Sequence, residues 1–97
     1  MTSAQISTIL RKAGNTKAGY APGQRIRYPK IAGYSVHKMG DAVRVDYHTG
    51  SASAAAPLVA AVVLTSYRRS IEVAGYVVET VDTGLTQYLL VTERQDE

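Results

Sequence analysis

Two histidines and two aspartates fall close together, as His37, Asp41, Asp46 and His48. Imidazole changes charge near neutral pH, and beside a carboxylate it can serve as a general base. Asp46 and His48 are two positions apart, so on a strand they share a face. That spacing allows a histidine–carboxylate pair. Nothing else in the chain completes a catalytic site around it. There is no cysteine, which removes thiolate chemistry, Cys-ligated metals and a disulfide framework. No third or fourth ligand stands at a metal-binding spacing. The glycines between Gly14 and Gly23 have no Gly-Lys-Ser/Thr ending and no preceding strand, so they do not form a nucleotide phosphate loop. The histidines read as solvent-facing strand residues. The expectation is a protein that is not an enzyme and has no cofactor and no metal.

Charge carries more information. Residues 1–40 hold Arg11, Lys12, Lys17, Arg25, Arg27, Lys30 and Lys38 and no acid, a charge of +7, whereas residues 41–97 carry −4. Such asymmetry points to an anionic partner for the first half. Lysine and arginine neutralise phosphates, and the interleaved Tyr20, Tyr28 and Tyr34 offer aromatic faces on which bases stack. Arg11, Lys12, Lys17, Arg25, Arg27 and Lys30 are therefore the candidate nucleic-acid contacts. The same tyrosines would equally serve to anchor the segment to the core. The alternative is a modulator that binds a host protein through the same loop or the outer sheet face, since an acidic protein surface would attract the same residues.

These residues must be positioned by a small scaffold. The 97 residues suit one domain with one modest core. Phe and Trp are absent, so that core is aliphatic with tyrosine. Met1 to Gln5 shows no basic stretch leading into an apolar one, so no signal peptide is expected. The longest apolar stretch, Ala54 to Leu64, is 11 residues, short of the ~20 a membrane span needs.

Thr2 or Ser3 is the candidate cap of a first helix over about 3–13. Ile6, Ile9, Leu10 and Ala13 make its apolar face and Gly14 ends it. Residues 14–31 read as a long loop punctuated by Gly and Pro, with Arg25 to Tyr28 as a short edge strand. Period-two alternation predicts a hairpin over 33–48, turning at Met39-Gly40-Asp41, with His37, Arg44, Asp46 and His48 on its outer face.

These elements make a basic first αββ unit over 1–48; a second spans 53–93, and 94–97 is a polar tail. Ser53 is a candidate cap for a second helix reaching about Ala74. One stripe of this helix is Pro57, Ala60, Leu64, Tyr67, Ile71 and Ala74. The other is Val59, Val62, Val63, Ser66 and Val73. The second stripe is expected to pack on the first helix, the alternative being a homodimer through Val59, Val62 and Val63. A second hairpin follows over 76–92, and Tyr88 to Val91, apolar on both faces, reads as a central strand.

Ala32-Gly33-Tyr34-Ser35-Val36 matches Ala74-Gly75-Tyr76-Val77-Val78. The expected fold is α+β: two αββ units forming a four-stranded antiparallel sheet with two helices packed on one face, since a lone hairpin is marginal. Leu10 to Gly14, Gly33 to Val36, Val43 to Val45, Ala74 to Glu79 and Tyr88 to Thr92 together resemble uncharacterised small accessory proteins encoded by phages of actinobacteria. That resemblance covers most of the chain. It implies a non-virion protein acting in the cytoplasm of an infected bacterium, and it supplies no catalytic residues. Tyr67-Arg68-Arg69 leading into 76–91 also resembles the recognition helix and wing of winged-helix proteins, without their preceding three-helix bundle. The mixture of a sheet with two helices is similar to small RNA-cleaving toxins and double-stranded-RNA-binding domains, but the toxins' Gly-Ser-His signature is absent.

Overall fold

Helix α1 (Ser3–Lys12) is fixed at its start by a reciprocal pair of hydrogen bonds. Gln5 N–H donates to Thr2 Oγ1 (3.2 Å) and Thr2 N–H donates to Gln5 Oε1 (2.8 Å), which makes Thr2 the cap. Two amides that no helical carbonyl can reach are thereby satisfied. Thr2→Ala should lower stability by about 1 kcal/mol, read from the urea midpoint. The computed structural model describes residues 1–18, 32–49, 56–84 and 86–93. Arg25, Arg27, Lys30, Tyr20, Tyr28, Ser53 and the tail lie outside the described residues, as does the short strand expected over 25–28.

Four strands follow the expected alternation: β1 (Gly33–Met39), β2 (Ala42–His48), β3 (Val77–Asp82) and β4 (Gln87–Thr92). Helix α2 (Ala56–Val73) connects the two hairpins. The strands form one antiparallel sheet in the order β1-β2-β4-β3, so β4 is central, as its two apolar faces require. No helix of the described residues is long and apolar enough to cross a membrane.

The register shows a two-fold relation between the repeats. The pairs Val36–Val45 and Lys38–Val43 of the first hairpin correspond to Val78–Val91 and Thr80–Leu89 of the second. Where the units meet, Arg44 pairs with Leu90, flanked by Val43–Val91 and Val45–Leu89. Exchanging the two units turns one flanking pair into the other, so the pseudo-dyad passes through Arg44–Leu90.

Tyr34, Val43, Val45, Val78, Leu89 and Val91 lie on one face of the sheet and are buried with Ile6 and Leu10 of α1 and Leu64, Tyr67 and Ile71 of α2. Each large side chain fully buried this way contributes about 1.5–3 kcal/mol. The first stripe of α2 thus faces inward through Leu64, Tyr67 and Ile71. The second does not follow the expectation that α1 would cover it. Only Val63 packs against the core, while Val59 (45%), Val62 (72%) and Val73 (83%) stay exposed. Helix α1 is short and lies by β1, so it reaches only part of α2. Arg68 ties α2 to the sheet, donating to Glu72 Oε1 (3.2 Å) and Thr80 Oγ1 (3.1 Å).

The start of the long loop is more ordered than its composition suggests. Tyr34 N–H donates to the Thr16 carbonyl (3.0 Å) and Ala18 N–H donates to the Tyr34 carbonyl (2.8 Å). Lys17 thereby forms a parallel bridge on the outer edge of β1.

Candidate nucleic-acid interface

Arg11 and Lys12 occupy the last turn of α1, where cations favour the negative end of the helix dipole. Lys17 is held beside them by the bridge to β1. All three are exposed. Arg11 and Lys17 line one groove of about 300 Å³ between α1 and β1, together with Ser3, Ser7, Thr8 and Val36. Lys12 lies outside it on the same helical turn. Among the described residues, Arg44 is engaged with Asp46, Arg68 with Glu72, and Lys38 with the Met1 carbonyl at 2.9 Å, while Arg69 stands exposed by itself on α2. Arg11, Lys12 and Lys17 make no ion pair among the described residues.

Tyr34 cannot stack on a base. It is fully buried, its ring set edge-on against Tyr67 at 6.1 Å, and its hydroxyl is within 2.9 Å of Ser7 Oγ and donates to the Ser7 carbonyl at 3.1 Å. The anchoring role is the correct one for this tyrosine. Its ring belongs to the inward set of β1, which alternation alone assigns once the register is known.

On the outer face, His37, Arg44, Asp46 and His48 stand where alternation put them. The Asp46–His48 pair does not form. Arg44 Nε and Nη2 donate to the two Asp46 carboxylate oxygens at 2.9 and 3.0 Å. Guanidinium matches carboxylate geometry in this two-pronged way, and a single imidazole N–H does not. The hydrogen bond to Asp46 raises the Arg44 pKa above its usual value, against the effect of burial. The guanidinium carbon also sits 3.8 Å above the centre of the Tyr88 ring. His48 Nε2 lies 2.7 Å from Ser35 Oγ instead. That is a nucleophile–base distance, and sequence reading missed it because the two residues meet only diagonally across the hairpin, Ser35 being paired with Asp46 and His48 with Gly33. The Asp46 carboxylate is committed to Arg44, and the groove lined by Arg11 and Lys17 lies on the opposite side of the sheet. No group of three or more potential metal ligands occurs among the described residues.

The fold and the site define a two-layer α+β protein with a basic patch where α1 meets the sheet edge. No family model, curated protein or solved structure matches the chain.

Proposed function

We propose that this is a small non-enzymatic accessory protein that acts by binding, with nucleic-acid phosphates as the partner of its basic N-terminal half. The observation that carries this reading is the gathering of Arg11, Lys12 and Lys17, exposed and without ion pairs among the described residues, around one end of α1. Phosphate contacts release counterions, so the logarithm of affinity falls with the logarithm of salt by ~0.9 per neutralised phosphate on duplex DNA. Three contacts give a slope near −3. Fluorescence anisotropy with labelled duplex is expected to show that slope. Arg11→Ala with Lys17→Ala should flatten it by ~1.8 and weaken binding to all sequences alike, because phosphate contacts carry no base information. No binding below ~100 μM at low salt would overturn the reading.

A protein partner is the second reading, and the groove beside the outer edge of β1 favours it. The resemblance to phage accessory proteins fits either reading and implies a protein acting in the cytoplasm of an infected bacterium. The exposed Val59 and Val62, with Val63 behind them, are what a homodimer would cover.

A further inference from the structure

We propose that the outer edge of β1, walled by α1, takes up an extended acidic peptide as an added strand; this rests on the protein-partner reading. Backbone geometry comes first. Tyr34 spends both its N–H and its C=O on the outer side of β1, toward Thr16 and Ala18. Strand period repeats that orientation every second residue, so the backbone groups of Val36 and Lys38 face the same way. Among the described residues, pairing on this edge ends at Tyr34. An unpaired strand edge is a template for another strand. The segment 16–18 shows that this edge accepts one in the chain's own fold.

The groove over Val36 supplies the selection. Its volume of about 300 Å³ accommodates a few residues of extended chain. Alternate side chains of an added strand would point toward α1 and meet Arg11 and Lys17, with no acid among the groove's lining residues. Those side chains should be carboxylates.

The hydroxyls of Ser7 and Thr8 favour a peptide over a phosphate inside the groove. Thr8 Oγ1 donates its proton to the Ala4 carbonyl at 2.9 Å. Tyr34 donates to the Ser7 carbonyl, which makes Ser7 the donor in its contact with the Tyr34 hydroxyl. Both protons are thus committed within the protein, and the lone pairs remain. An ionised phosphate offers mainly acceptors and gains nothing from them, whereas peptide N–H groups do.

The test uses the full chain with an eight-residue peptide of alternating glutamate and valine, capped at both ends. Binding is followed by anisotropy, and hydrogen exchange is followed at individual amides. Binding should slow exchange at Val36 and Lys38 at least ten-fold. Arg11→Glu with Lys17→Glu should weaken the peptide at least ten-fold, and N-methylation of alternate peptide amides should do the same without altering the protein. If the N-methylated peptide binds as well as the parent, the groove is an electrostatic anion site and strand addition is overturned. If protection appears on β3 or the outer face, the edge assignment is overturned. Duplex binding with no peptide binding up to about 1 mM, only ~4 kcal/mol of affinity, would discard the peptide and leave the phosphate reading standing. Failure of both ligands would discard both.

Discussion

Replacing Gly33 by alanine is expected to lower the unfolding free energy by about 3 kcal/mol, the upper part of the range for overpacking a tight site. A Cβ on Gly33 would lie 2.1 Å from the Thr16 carbonyl oxygen and 2.8 Å from both the Ala18 nitrogen and the Lys17 carbonyl carbon. All three are backbone atoms, so no side chain can rotate away. Either β1 shifts, disturbing the buried Tyr34 beside it, or 16–18 detaches. Detachment breaks two hydrogen bonds worth about 1 kcal/mol each and uncovers part of the core.

Gly75 occupies the matching place in the second repeat and is the internal control. It has φ of +100° with open space where a Cβ would go. Gly75→Ala meets only backbone strain, about 1 kcal/mol. In thermal unfolding the Gly33 variant should lose more than about 12 °C and the Gly75 variant about 4–8 °C. Equal losses would show that close approach is not what holds Gly33. Detachment of 16–18 would also move Lys17, so the Gly33 variant should bind anions more weakly while the Gly75 variant does not.

Stability should fall in alkali, with Tyr67 as a main cause. Its ring is enclosed between Tyr34 and Tyr47, with centroids 6.1 and 6.2 Å away. Burial, with the neighbouring tyrosines adding to it, pushes the phenol up to about 12. In the unfolded chain it ionises near ~10. Between those values the folded protein holds a proton that the unfolded chain has released. Stability is therefore full below pH 10 and declines as pH rises toward 12. Two pH units at 1.36 kcal/mol each bound this contribution at about 3 kcal/mol, with roughly half of it gone by pH 11. Urea midpoints at pH 7, 9, 10 and 11 measure the decline. Tyr67→Phe keeps the ring, so it should leave stability at pH 7 within about 1 kcal/mol and remove this part of the alkaline loss. A variant as alkali-sensitive as the parent would show that another group dominates.

Much of the fold is local in origin, and local pattern made it legible. The spacing of Ile6 and Leu10 with a capping residue before them dictates α1. Alternation from Tyr34 to Tyr47 dictates a hairpin, and the unbroken apolar run at Leu89-Leu90-Val91 marks a strand with neighbours on both sides. Those patterns, together with the repeated Ala-Gly-Tyr, were enough for the four-stranded sheet and its two helices. The charge imbalance also belongs to the sequence alone.

What tertiary structure decided were choices between partners of equal local merit. Asp46 could accept from His48 or Arg44, and side-chain reach and guanidinium geometry gave it to Arg44. Val59, Val62 and Val63 form one stripe by periodicity, yet the limited reach of α1 separates Val63 from the others. Tyr34 was as suited to stacking on a ligand as to filling the core, and the pleat of β1 turned it inward. The two repeat glycines look alike in sequence but do different work: Gly75 supplies a left-handed turn after α2, while Gly33 leaves room for 16–18 against the sheet. Thr16-Lys17-Ala18 has no periodic signal, because one bridge is too short to impose a period. It is that bridge which brings Lys17 next to Arg11.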